Sequence, residues 1–101
     1  MAKRSMESLT EAMYYILLAL RSGPMCGTDM AEDITRRTKG RVRVGPGTLY
    51  TILAKFEKEK LICETEVEGR KRTYRITDRG SAALRDEIER LRVCLADAEE
   101  G

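Results

Sequence analysis

GPGTLYTILAKFEKEKLI, residues 45–62, decides how the rest of this chain is read. Leu49, Ile52, Leu53 and Phe56 recur at three- and four-residue steps, so a helix carries them on one face. The opposite face holds Gly47, Thr51, Ala54, Lys55 and Lys58, with Tyr50 at its edge. That face is small, hydroxylated and basic, as a helix lying in a DNA groove would be. Gly45-Pro46-Gly47 makes a tight turn before it, and Pro46 suits a first helical turn.

Upstream, the pattern predicts a helix over residues 28–38. Thr28 is its N-cap, and Asp29, Glu32 and Asp33 favour its positive end. Met30 and Ile34 face the core, and Gly40 ends the helix. Arg36, Arg37, Lys39, Arg41 and Arg43 form a basic connection to the next one. Further back, Ser8 and Glu11 have capping-box spacing at the start of a helix that stops at Gly23-Pro24. Its inner stripe is Leu9, Met13, Ile16, Leu17 and Leu20, while Ala12, Tyr15, Leu18 and Ala19 extend the apolar surface around it. A helix apolar nearly all round is buried on more than one side. In so short a chain the second burying surface is a partner subunit, met through Tyr15 and Leu18.

Downstream the period changes from helical to alternating. Residues 62–67 and 72–76 read as strands joined through Glu68-Gly69-Arg70-Lys71, a hairpin with a basic tip. Thr77-Asp78 caps a last helix reaching at least Ala98. Leu84, Ile88, Leu91, Leu95 and Ala98 are spaced as an a/d seam of about two heptads. Asp86, Glu87, Glu89, Arg90 and Arg92 flank that seam as charges. A second copy of the chain is the simplest cover for it.

With 101 residues and 42% hydrophobic content, the chain supports one small core. Its net charge of +2 is unevenly spread. Residues 36–60 hold eight basic side chains and two acidic, residues 69–79 five and one, and residues 86–101 two and six. The middle and the hairpin can face a polyanion; the tail cannot. The three widely spaced cysteines, 26, 63 and 94, form neither a secreted disulfide framework nor a CxxC metal pair, and there is no histidine. Cytoplasm is the expected compartment, with no membrane partner. The longest apolar run is too short to span a bilayer, and the first residues lack a signal-peptide core. No nucleophile has a recognisable base and no phosphate loop is present, so neither an enzyme nor a cofactor is expected.

The order helix, helix, helix, hairpin, helix gives the fold class: α+β, mostly helical. It is a winged helix-turn-helix of three helices plus a two-stranded wing, followed by a C-terminal dimerisation helix. Residues 1–77 form the DNA-binding domain, and residues 78–101 form the dimerisation helix packed on it. LTEAMYYILLAL, PGTLYTILAKFEKEKLI, GRKRTYRIT and TDRGSAAL together resemble the PadR family of transcriptional regulators, over roughly residues 8–98. The chain is similar to its short subgroup, with one long C-terminal helix. The resemblance implies a homodimer on palindromic double-stranded DNA, usually a repressor, with room for a small hydrophobic or aromatic effector at the dimer interface. Two departures stand out: Cys26-Gly27-Thr28, where many relatives carry an aromatic residue beside the glycine, and the lack of any tryptophan.

Carried across by motif, Pro46, Gly47 and Thr48 open the recognition helix and hold a phosphate. Tyr50, Thr51 and Lys55 reach base edges or the flanking backbone. Arg70, Lys71 and Arg72 grip phosphates from the wing. Lys3 and Arg4 add contacts from an N-terminal arm. A competing expectation is a winged-helix module that binds an acidic protein through the same surface and no operator.

Overall fold

Thr10, and not Ser8, starts the first helix. The computed structural model describes residues 8–101, so the proposed arm residues Lys3 and Arg4 lie outside the described residues. The Thr10 hydroxyl accepts from Met13 N–H at 3.1 Å and caps α1, Glu11–Arg21. One residue earlier, the Leu9 N–H approaches the Glu87 carboxylate of the last helix.

α1 leads through β1, Met25–Cys26, into α2, Gly27–Arg37. The short strand was not anticipated. It pairs antiparallel with the second wing strand, Met25 against Tyr74 and Cys26 against Thr73. That pairing also moves the start of α2. Cys26 is its N-cap residue and makes no side-chain cap bond, while Thr28 falls inside the first turn. α3 then spans Pro46–Lys58, with Gly45 as N-cap and proline in the first turn as the sequence indicates. β2, Ile62–Glu68, and β3, Lys71–Ile76, form the hairpin, and the sheet order is β1-β3-β2. Gly69 takes φ +62° at the first turn position while Arg70 stays at negative φ, the glycine-first geometry of a tight hairpin. A register shift between Glu64 and Glu66 leaves Thr65 as a bulge.

The core gathers one face of each helix. Ile16, Leu17 and Leu20 from α1, Met30 and Ile34 from α2, and Leu49, Leu53 and Phe56 from α3 are at most 2% exposed. Leu18 and Leu84 join this cluster. Both were expected to meet a partner subunit. Instead their own chain buries them, because α2, α4 and β3 pack around α1 on more sides than the hydrophobic pattern alone revealed. Glu87, read as a flanking charge, is also buried, with Arg90 bonded to it.

α4 runs Asp78–Glu100, capped by Thr77, whose hydroxyl accepts from Gly80 N–H at 3.0 Å. The same hydroxyl donates to the Lys60 carbonyl at 2.8 Å, and Thr77 N–H donates to the Leu61 carbonyl at 3.0 Å. A Cβ at position 80 would fall 2.1 Å from the Leu61 carbonyl oxygen, so glycine allows this crossing. The start of α4 is therefore fastened to the end of α3. Beyond Ile88 the helix leaves the core. Leu91 is 40% exposed and Leu95 60%, and Ala98 is exposed as well. Among the described residues no helix is long and apolar enough to cross a membrane.

Candidate nucleic-acid interface

Three elements converge on one cleft. Its floor is the N-terminus of α2, one wall is Tyr50 of α3, and the other is the wing. Because Leu49, Ile52, Leu53 and Phe56 hold the inner face of α3, its outer residues Pro46, Gly47, Thr48, Tyr50, Thr51 and Lys55 are all exposed. The cleft has a volume of about 670 Å³ and is lined by Gly27, Thr28, Asp29, Tyr50, Tyr74 and the run Arg70, Lys71 and Arg72. The structure thus brings Tyr50 and the three wing residues together. Pro46, Gly47, Thr48 and Thr51 lie on the same helix outside the cleft lining.

Tyr50 is 50% exposed, and its hydroxyl lies over Gly27. A Cβ at position 27 would come within 2.8 Å of that oxygen. Gly27 is therefore the seat of the Tyr50 ring, a role that the glycine at a helix start does not announce in sequence. Tyr74, also unanticipated, is 4% exposed on the inner face of β3. Burial pushes its hydroxyl pKa up, the Glu57 carboxylate adds to this, and Arg72 opposes it.

Lys55 stands apart. It pairs with Glu59 at 3.0 Å and lines a second cavity of about 550 Å³, on the side of α4. Leu9, Met13, Phe56, Leu61, Ala83 and Glu87 line that cavity as well. Here the Glu87 pKa is held below the usual carboxylate range by Arg90, against burial, with the Leu9 N–H also lowering it.

The basic surface is thinner than a count of charges suggests. Arg36 and Arg37 both bind the buried Asp33 carboxylate, at 2.8 and 3.2 Å. Arg41 is tied to Glu11 at 2.7 Å and to the Tyr15 hydroxyl at 2.9 Å, which braces the α2–α3 connection against α1. These contacts, the Glu11 bond first, raise its pKa. Tyr15 is half-buried and so engaged within its own chain. Arg72 lies 3.6 Å from Glu64. Among the described residues no ion pair engages Arg70 or Lys71, whose side chains stand at the exposed wing tip. No group of metal-ligating side chains occurs among the described residues.

Known proteins match this arrangement. A transcriptional regulator from Clostridium thermocellum superposes with a TM-score of 0.79 at 26% identity, over 88% of this chain and 87% of its own. A PadR family transcription regulator from Clostridium difficile gives 0.77 at 18% identity, over 90% and 97%, a likeness of fold. Bacillus subtilis PadR, solved in complex with operator DNA, gives 0.67 at 26% identity, over 75% of this chain and 46% of its own. An uncharacterised 37.1 kDa protein in transposon TN4556 of Streptomyces fradiae is 35% identical over 77 residues, 76% of this chain. The chain spans 22% of the length of that relative. The profile of the transcriptional regulator PadR-like family matches residues 16–86, from the middle of α1 into α4. With its winged helix-turn-helix and long terminal helix, the chain belongs to the PadR-like family of transcriptional regulators.

Proposed function

We propose that this protein is a homodimeric repressor that binds a palindromic operator and is released by a small hydrophobic effector. The observation that carries the DNA reading is the shared cleft: Tyr50 of the recognition helix faces Arg70, Lys71 and Arg72 of the wing across it. A helix and a basic ribbon set side by side suit a duplex, the helix in the major groove and the ribbon along the backbone. Bacillus subtilis PadR, of related fold, was solved with operator DNA. Pro46, Gly47 and Thr48 hold a phosphate at the start of α3, Thr51 reaches a base edge beside Tyr50, and Lys55 contacts the flanking backbone from the far end of the helix.

The dimer reading rests on α4. Its 23 residues extend about 35 Å, and its outer half leaves Leu91 and Leu95 exposed. Residues 1–77 form the DNA-binding unit, and residues 78–101 the helix that joins two copies through Ile88, Leu91, Leu95 and Ala98. The effector reading rests on the cavity between α1, α3 and α4, where Leu9, Met13, Phe56, Leu61 and Ala83 form an apolar part and Lys55, Glu59, Arg79, Asp86, Glu87 and Arg90 a charged one. Selection of bound duplexes from a random pool tests the whole proposal. A palindromic winner is expected, with half-sites about one helical turn apart. A pool showing no enrichment overturns operator binding. Titrating small apolar compounds into the operator complex tests release.

A further inference from the structure

The wing is less basic than its tip. Strand β2 contributes Glu64, Glu66 and Glu68 beside the cations of β3. The register divides these carboxylates between two faces. Glu66 pairs with Thr73 and Glu68 with Lys71, while Glu64 pairs with Tyr74, the buried residue on the inner face. Arg72 lies two residues from Tyr74 and so shares that face, as a diagonal neighbour of Glu64.

The two side chains meet there. Glu64 Oε1 lies 3.6 Å from the Arg72 guanidinium, with side chains 25% and 58% exposed. Its other oxygen, Oε2, is buried and has no hydrogen-bond partner among the described residues. A half-satisfied carboxylate is costly to bury, and an arginine alongside offsets that cost. Arg72 also lines the cleft beside Tyr50. It is therefore the wing cation whose guanidinium an incoming phosphate would share with a carboxylate of the same chain.

We propose that Glu64 restrains Arg72 as a built-in competitor of DNA phosphate, which weakens the grip of the wing on every duplex alike. This rests on the reading of the wing as a phosphate contact. Glu64 acts through Arg72 and is a positioning residue. The pairing lowers affinity for all DNA and leaves discrimination to α3, since a phosphate contact carries no sequence information.

The experiment measures binding of the full chain to its selected operator and to an unrelated duplex, at several salt concentrations. Four variants are compared: Glu64→Gln, Arg72→Ala, the double variant, and Glu66→Gln on the opposite face as a control for charge alone. Thermal melts confirm that each is folded, and Glu64→Thr, suited to a strand, replaces the glutamine should it fail to fold. Glu64→Gln is expected to tighten binding several-fold on both duplexes and to steepen the salt dependence by about one counterion. The gain should vanish in the Arg72→Ala background, and Glu66→Gln should give a smaller one. Unchanged or weaker binding by Glu64→Gln overturns the proposal, as does a gain that survives loss of Arg72 or is matched by Glu66→Gln. If Arg72→Ala leaves DNA binding unaltered, the phosphate reading of Arg72 falls and the proposal falls with it. If Arg72→Ala weakens binding while Glu64→Gln gives no gain, that reading stands and only the competitor is lost.

Discussion

Tyr50 and Lys71 border the same cleft but should fail differently when changed. Lys71 is a point charge at the wing tip. Lys71→Ala is expected to weaken binding on every sequence by a similar factor and to flatten the salt dependence by about one counterion, read by anisotropy titration. Tyr50 presents a ring and a hydroxyl, so Tyr50→Ala should change which sequence is preferred, read by repeating the duplex selection. Equal losses on all sequences for both variants would show that neither reads bases. Glu87 gives a third residue-scale expectation. Its pKa is depressed in the folded state, chiefly by Arg90. The stability it supplies is therefore present above the ordinary carboxylate pKa and is lost as pH falls from there through the depressed folded value. Glu87→Gln should cost about 1 kcal/mol at neutral pH, because Arg90 remains hydrated, and should flatten the acid limb of a pH–stability curve. Tyr50 and the wing cations were legible as residues because their outward position follows from helical and strand period. Gly27, Tyr74 and Glu64 were not, since each matters through a contact between elements distant in sequence.

At the scale of elements, two helices end in the same way. After α2, Lys39 takes φ +54°, and Gly40 N–H reaches back to the Thr35 carbonyl. After α3, Lys60 takes φ +65°, Lys60 N–H binds the Glu57 carbonyl, and Leu61 N–H binds that of Phe56. These are Schellman ends with lysine where glycine is favoured. Lys60→Gly should stabilise the fold by about 1 kcal/mol, raising the melting temperature by several degrees; no rise would place the left-handed strain elsewhere. Such ends explain part of what was legible. The stripe of α3 and that of α4 as far as Ile88 followed from helical period, since those stretches bury one face in their own chain, and the hairpin followed from its alternating period. Helix starts did not follow. Ser8 and Thr28 have the right chemistry, but the caps fall at Thr10 and at Cys26, the latter where Cys26 pairs with Thr73. The two-residue β1 has too little sequence to signal a strand, and its partner lies about fifty residues away.

The whole molecule raises the question of what covers α4. Sequence alone assigned Leu18 and Leu84 to a partner, because periodicity reports that a residue is buried but not in which chain. The structure leaves Leu91 and Leu95 as the exposed part of the seam. Leu91→Glu with Leu95→Glu should convert the proposed dimer to a monomer in sedimentation, with little change in far-ultraviolet dichroism of the helix-turn-helix. Operator affinity should fall at least tenfold, because two half-sites no longer bind as a unit. An unchanged sedimentation coefficient would move the interface off this seam.

The bonds from Thr77 to the Lys60 and Leu61 carbonyls, with Gly80 closing the gap, fasten the last helix to the end of the one before the wing. In the proposed dimer α4 then becomes a stiff lever arm and the seam its pivot. Over about 35 Å, a tilt of about 5° swings the far end by about 3 Å. That is close to the rise of one base pair, about 3.4 Å along a strand. A small change of tilt at the seam of the proposed dimer would therefore put two α3 helices out of step with their half-sites while leaving every contact inside each protomer intact.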